Sequence, residues 1–496
     1  FILHGVLPYD MFSSWFSKVN VATFVAGITS MGLEILAGRV LAPAFGSSIY
    51  TWGSIIGVSL LALSIGYHVG GRQAKEASLR DLDVYLLYAS LYIMFLYFAS
   101  ELLIDLSKAL PVPTRYAAIL PMAVMFGPPT FALGYISPYA AELSDKEGKG
   151  AASGHFYAVG TTGSLIGAFG TTFVLIPFFS ISTLYVGFAV LTALPLLRPF
   201  SLTSITPVLI IVLAALPLQA STAADNTVFS TQTQYQELRI ADQDGTRTVY
   251  LDGHPQSAID LDNTSRYVYH YTEYFEVPLG LTRPDNALFI GGGGFTGPKR
   301  YSEAGVRTDV VELDPGVINA AKTYFNVSKT QTLQIHRGDG RQFLQATNNT
   351  YDVIIVDAFR KDQIPFHLTT REFYQLVEDH LSQDGVVLAN IIGTAHGAGS
   401  SFPRSQYKTM RDVFQTTYYF PTSDTSLAQN IEIMATNQQR LSRSMIQETL
   451  QQNTQVRFHN VSKPKRPETN DVPLLTDAYA PTTSLIDQQI STKYVA

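Results

Sequence analysis

Three carboxylates and a run of glycines carry the chemistry that can be read from this chain. Glu312 follows Val310-Val311, Asp339 sits in Gly338-Asp339-Gly340, and Asp357 ends the run Tyr351-Asp352-Val353-Ile354-Ile355-Val356. Upstream, Ala287–Ile290 leads into Gly291, Gly292, Gly293 and Gly294. Gly-rich turns let a backbone approach a ligand closely, and an acid after the next strand can grip a ribose. A carboxylate has two acceptor oxygens, which suits two adjacent hydroxyls. Asp357, an acid closing a fully apolar strand at the ligand edge of a parallel sheet, is expected to be functional. Asp314 is expected to cap the next helix, and Asp352 to sit at a strand edge without a chemical role. Gly292-x-Gly294-x-x-Gly297 alone fits any dinucleotide or S-adenosylmethionine fold.

The elements that must position these groups follow from periodicity. Each apolar run between Ala287 and Phe359 has the length of a buried parallel strand, with helix-like segments between. Before this α/β core, Tyr235–Ile240 and Arg247–Leu251 read as strands, with turns at Asp242–Gly245 and Asp252-Gly253. Residues 263–279 are aromatic and read as helical. His270 lies in that aromatic run, which suits a packed core histidine as well as a ligand. Helices are expected near 370–381 and 403–415, and a strand at Gly385–Asn390. The tail from 463 is read as mostly loop, with Leu474–Pro481 its most structured part.

The first half is different in kind. Seven stretches, near 19–42, 48–69, 84–106, 115–141, 153–177, 180–197 and 202–220, are long enough to span a bilayer. Residues 1–18, with Trp15 and Phe16 beside Lys18, look like an interfacial lead-in. Gly127-Pro128-Pro129 must break or kink the fourth span, and the small residues of the fifth, such as Gly163 and Gly167, suit close helix packing. Glu34 and Arg39 in the first span, His68 in the second and Glu101 and Asp105 in the third are ion-pair or headgroup-level groups, or functional ones. Arg72, Lys75 and Arg80, then Lys146 and Lys149, then Arg198 mark three loops as cytoplasmic. Seven spans then place the C-terminal domain outside, and the short pair at 180–220 is where that count is weakest. The domains are therefore 1–220 (a multi-pass α-helical membrane domain), 221–233 (linker), 234–462 (the α/β domain) and 463–496 (tail).

Composition narrows the function. A net charge of -6 argues against a nucleic-acid partner. With no cysteine there are no disulfides, thiolate metal sites or Cys nucleophiles, and no metal is expected. Because the chain begins at Phe1, a missing or processed true N-terminus is expected.

The core and its hairpin preface, roughly 234–391, resemble the spermidine synthase (polyamine aminopropyltransferase) family. With the apolar half included, the chain resembles that family's membrane-fused members; Glu34–Arg39, Phe126–Pro129 and Leu475–Pro481 carry that likeness. The resemblance implies a Rossmann-like methyltransferase/spermidine-synthase fold with an N-terminal β-hairpin region. It implies transfer of an aminopropyl group from decarboxylated S-adenosylmethionine, a co-substrate rather than a tightly bound cofactor, to an amine, releasing methylthioadenosine. Gln236 of Tyr235-Gln236 matches a nucleoside contact, and Leu251-Asp252-Gly253 with Gln256 matches the family hairpin. Gly291–Gly293 match the glycine loop, Glu312 the ribose acid, and Asp339-Gly340 the adenine-reading pair. Asp357 matches the catalytic base, and His270 of Tyr269-His270 a polyamine contact. The lipid bilayer, an amine or other acceptor and a homodimer through the synthase-like domain are the implied partners, and the cell membrane the location.

Two departures qualify the resemblance. Gly294 stands where the family has the Asp that holds the donor's amine end. Arg360 stands where a second Asp would bind the acceptor amine, and a guanidinium there suits an acidic acceptor. Three readings follow: an aminopropyltransferase-like enzyme, a transferase using an S-adenosyl nucleoside on a non-polyamine acceptor, and a non-catalytic transport or assembly protein with a degenerate synthase domain.

Overall fold

In the computed structural model the chain divides into two units, Phe1–Ala223 and Ala224–Ala496. The structure describes residues 17–45, 49–74, 78–110, 112, 114–143, 149–197, 226–263, 267–359, 364–423, 427–438, 445–446 and 465–490. Arg360, the span at 202–220 and most of the lead-in at 1–18 lie outside the described residues.

In the first unit, four helices are long and apolar enough to cross a membrane: Lys18–Phe45, Ile49–Gln73, Leu79–Lys108 and Ser153–Phe178. A fifth crossing is counted if Arg115–Met125 and Gly127–Leu143, bent by 57°, act as one span. The bend falls at Gly127-Pro128-Pro129, where proline removes backbone donors and crowds the preceding turn. The apolar stretch at 180–197 forms a shorter helix, Ile181–Leu197. Glycines set the helix contacts. A side chain at Gly163 would run into the Phe24 carbonyl, and one at Gly167 into that of Ile28, so these helices touch backbone to backbone.

The second unit opens with a four-stranded antiparallel sheet: β1 (Thr227–Gln232), β2 (Glu237–Gln243), β3 (Thr246–Leu251) and β4 (His254–Asp260). Its turns lie where the sequence placed them. Asp244-Gly245 and Asp252-Gly253 all have positive φ, as a two-residue hairpin turn requires. The expected linker at 221–233 is corrected here, because β1 occupies part of it and pairs with β2. Its Thr-Val-Phe-Ser-Thr run is β-branched and aromatic, and that outweighs its polarity.

A seven-stranded sheet follows, in the order β10-β11-β9-β8-β5-β6-β7. These strands are β5 (Asn286–Ile290), β6 (Arg307–Glu312), β7 (Leu333–Arg337), β8 (Tyr351–Val356), β9 (Leu381–Gly393), β10 (Thr416–Pro421) and β11 (Gln429–Thr436). β5 through β9 pair in parallel, while β11 runs antiparallel to β9 and to β10. One face packs Phe289, Val353, Leu388 and Met434 against Tyr274, Phe275 and Val277. The other packs Leu288, Ile354, Val387 and Ile433 with Phe373 and Phe402. Each such buried side chain contributes about 1.5–3 kcal/mol, which is why the strands read as unbroken apolar runs.

Two helices of the second unit are started by aspartate caps. Asp314 accepts the Gly316 N–H at 2.8 Å ahead of Pro315–Tyr324, and Asp339 accepts the Gln342 N–H at 3.0 Å ahead of Gly340–Ala346. The expected helix over 263–279 is a 3-10 turn, His270–Phe275, followed by Glu276–Thr282. The tail has more structure than expected, with a helix at Thr482–Ile490. Leu475 is fully buried, and Asp477 accepts hydrogen bonds from Arg341 and Thr370.

Candidate active site

The strand order reverses between β5 and β8: the chain leaves β5 for β6 and β7 on one side, then returns to β8 on the other. Loops at such a point diverge and leave a crevice beyond the strands' C-terminal ends. Gly291, Glu312, Asp339 and Asp357 all stand just at or past those ends.

Gly291 (φ 99°) and Gly293 (φ 49°) adopt left-handed backbone, which suits their lack of a Cβ. Phe295 also has φ 60°, rare for a bulky residue, and is fully buried. Its amide donates to the Gly292 carbonyl at 2.7 Å, so the ring folds under the loop and anchors it.

Glu312 holds this loop from the next strand. Oε2 accepts the Gly292 N–H at 2.9 Å and Oε1 the Asp314 N–H at 2.8 Å. Burial pushes its carboxyl above the usual range, while these backbone donors pull the other way. Each oxygen keeps a second lone pair for a ligand hydroxyl. Gln236 is buried beside it and donates to Asp314 Oδ2 at 3.1 Å, which also accepts the Thr233 hydroxyl at 2.6 Å. Asp314 is therefore a cap, as expected, and also the group that orients Gln236.

Asp339 carries a partner that the sequence reading missed. His367 Nε2 lies 2.7 Å from Asp339 Oδ2, and this contact, first among several causes, lowers the Asp339 carboxyl below its usual range. Gly340 is tight against Ile290, where a side chain would collide. The only sequence signal for His367 was its place in a short polar-apolar stretch after Asp357, which is weak.

Asp357 closes the ring from β8. Its backbone N–H donates to the Ile290 carbonyl at 2.9 Å, which pins it beside the glycine loop. Oδ1 accepts from Asn390 Nδ2 at 2.8 Å. Burial pushes the carboxyl up to about 6, with the Asn390 amide pulling down. Such a value leaves a base that is ionised at neutral pH yet holds a proton readily. His270 is on the 3-10 turn, where Nδ1 is 3.2 Å from Glu273 Oε2 and the imidazole meets Tyr274 edge-on.

Residues 269–439 match the spermine/spermidine synthase domain. The C-terminal half thus carries a spermine/spermidine synthase domain. Over 143 residues the chain is 34% identical to a polyamine aminopropyltransferase of Vibrio vulnificus, covering 28% of this chain and 46% of that protein. It is 29% identical over 211 residues to the polyamine aminopropyltransferase of Thermococcus kodakarensis, covering 39% and 69%. The chain thus spans about half the length of the first of these relatives. A probable spermidine synthase structure from Corynebacterium glutamicum aligns with TM-score 0.40 at 20% identity, covering 46% of this chain and 88% of that one. The glycine loop, Glu312 and Asp339 stand at the ends of β5, β6 and β7, on one side of the switch point, and Asp357 stands at the end of β8 on the other.

Proposed function

We propose that the synthase domain is an aminopropyltransferase that binds decarboxylated S-adenosylmethionine and passes its aminopropyl group to an amine. The observation that carries this reading is the placing of Glu312 and Asp339 on one side of the switch point and of Asp357 on the other. A nucleoside held by Glu312 and Asp339 has its sulfonium end directed to Asp357. The acceptor nitrogen attacks the methylene carbon next to the sulfonium. The new C–N bond forms as the C–S bond breaks, and the bonding pair leaves on sulfur as the neutral thioether methylthioadenosine. The proton released from nitrogen goes to Asp357. The deciding experiment incubates the purified protein with decarboxylated S-adenosylmethionine and putrescine and measures methylthioadenosine and spermidine together; absence of both under saturating donor overturns the reading.

A second reading has one observation in its favour. Gly294 lacks the acid that the resemblance assigns to the donor's amine end, and Ser257 crowds its place: a Cβ on residue 294 would lie 2.6 Å from Ser257 Oγ. S-Adenosylmethionine, whose ammonium sits beside its own carboxylate, and a non-polyamine acceptor suit a loop without that acid.

The helical unit is proposed to anchor the protein in the cell membrane. Its support is apolar surface such as Leu60, Leu61, Leu102, Phe169 and Phe173, each at least 60% exposed. Surface of that kind is costly in water and favourable in lipid.

A further inference from the structure

In the helical unit, the helices Ile49–Gln73, Leu79–Lys108 and Gly127–Leu143 frame a cavity of about 550 Å³ where the first ends and the second begins. Its lining differs from the apolar surface around it, with Arg72, Asp81 and the rings of Tyr85, Tyr135 and Tyr139, and Val84 on one wall. The rings hold one another in a stack. Tyr85 lies on Tyr135 with centroids 3.6 Å apart, and Tyr135 on Tyr139 at 4.9 Å. Tyrosine faces attract cations.

Asp81 is tied to this stack in a way that capping the helix does not require. Ser78 starts the helix, and its Oγ accepts the Asp81 N–H at 3.3 Å. In a capping box the acid would in return accept the Ser78 N–H. Here that N–H donates to the Tyr139 hydroxyl at 2.8 Å instead. The Tyr139 and Ser78 hydroxyls both donate to Asp81 Oδ2 at 2.7 Å. Asp81 Oδ1 has no hydrogen-bond partner among the described residues. Arg72, exposed in the last turn of its helix, has none either. A fixed carboxylate and a free guanidinium on one cavity suit a ligand that carries both charges. A primary ammonium can donate to Oδ1 and lie against the rings, and a phosphate matches the planar fork of arginine.

The surface beside the cavity says what carries that zwitterion. Val84, Tyr88, Leu91 and Phe95 are all exposed. Spaced by four, three and four residues, they form one apolar face of the helix, running away from the cavity. Acyl chains would lie along that face, whereas a free phosphate ester gains nothing from it.

We propose that this cavity takes the head group of a phospholipid bearing a primary ammonium, with the ammonium at Asp81 and the tyrosine rings, the phosphate at Arg72 and the acyl chains along Val84 to Phe95. This rests on the membrane reading of the helical unit and adds a lipid preference to it.

The test titrates the full chain, purified in lipid-free detergent, with dihexanoyl phosphatidylethanolamine, the matching phosphatidylglycerol and O-phosphoethanolamine, by calorimetry. The ethanolamine lipid should bind about tenfold or more tighter than the glycerol lipid, the scale of one charge-assisted contact. It should also bind tighter than O-phosphoethanolamine, which has the head group without the chains. Asp81→Asn keeps an acceptor for Ser78 and Tyr139 and should abolish the preference over the glycerol lipid. Arg72→Gln, at an exposed side chain, should weaken both lipids alike, and it decides alone if Asp81→Asn does not fold. A preference that survives Asp81→Asn, or none in the wild type, overturns the inference. Unchanged binding of both lipids by Arg72→Gln overturns it as well. Equal affinity for O-phosphoethanolamine marks a site for a soluble phosphate ester and overturns the lipid assignment. Carbonate extraction of native membranes reports anchoring separately. A resistant protein without the preference sinks this inference and leaves anchoring standing; an extracted protein with an Asp81-dependent preference does the reverse.

Discussion

Gly291 and Asp357 meet backbone to backbone: a side chain on residue 291 would run into the Asp357 carbonyl oxygen. The end of β5 and the end of β8 are thereby locked together at the switch point, and the loop that is proposed to face the nucleoside fixes the proposed base. Gly291→Ala should therefore act on both. Its φ of 99° disfavours any Cβ, a strain of about 1–3 kcal/mol before the collision is counted. A lowered melting point with weakened methylthioadenosine binding is expected, and a variant with wild-type melting and binding would show that the contact is not needed.

Glu312→Ala should abolish binding of methylthioadenosine. The ribose would lose a charge-assisted partner worth about 1.5–3 kcal/mol, and Gly292 and Asp314 would lose their shared acceptor. Titration calorimetry on the variant measures this; unchanged affinity removes Glu312 from the site.

Asp357 should set the pH dependence of transfer. Its folded pKa of about 6 lies above the ordinary carboxyl value because of burial, so the base form, and the rate, should rise as pH passes upward through about 6. The sign for stability is opposite. Where the folded protein holds a proton that the unfolded chain has released, stability falls as pH rises, here between the ordinary carboxyl value and about 6. Asp357→Asn should remove transfer by about 10²–10⁴, flatten the rate profile and remove that loss of stability. Rate profiles and melting curves on both proteins check it.

Much of this was legible in the residues. Ile354-Ile355-Val356 before Asp357 gave a buried strand with an acid at its end, and Val310-Val311 before Glu312 gave another. Asp-Gly pairs placed both hairpin turns, because few residues other than Gly, Asn and Asp tolerate positive φ. No strand was expected beyond Asn390, where β10 and β11 lie. Long-range pairing is what periodicity cannot give: nothing in the spacing says that His367 meets Asp339 or that Arg341 meets Asp477, since both depend on how loops return over the sheet. In the helical unit, hydropathy found the long helices, but it counts apolar length and cannot tell a spanning helix from a shorter apolar one such as Ile181–Leu197.

The proposed topology places the loop bearing Arg72 and Arg80 in the cytoplasm, and seven spans then place the synthase domain outside. Protease added to sealed cells should cut that domain. A fully shielded domain would mean that one apolar stretch fewer crosses, with Ile181–Leu197 the first to re-examine.

The last prediction separates the two donor readings. Gly294→Asp returns a carboxylate to the glycine loop at the position that, by resemblance, holds the donor's amine end. The change has a steric cost first. A Cβ there lies 2.6 Å from Ser257 Oγ and 3.1 Å from Ser257 Cβ, with Phe325 Cδ1 at 3.5 Å. Gly294→Asp alone should therefore melt below wild type, and adding Ser257→Gly should recover part of the loss by removing both Ser257 contacts, less about 0.5–1 kcal/mol for a glycine in a strand. In that double variant the new carboxylate attracts the ammonium of decarboxylated S-adenosylmethionine. S-Adenosylmethionine presents the same ammonium beside its own carboxylate, which the aspartate repels. The KM for the decarboxylated donor should fall and the preference for it over S-adenosylmethionine should rise by about tenfold or more, the scale of one charge-assisted contact. If the wild type instead turns over S-adenosylmethionine and the double variant loses that activity without gaining the other, the methyl-transfer reading replaces the aminopropyl one.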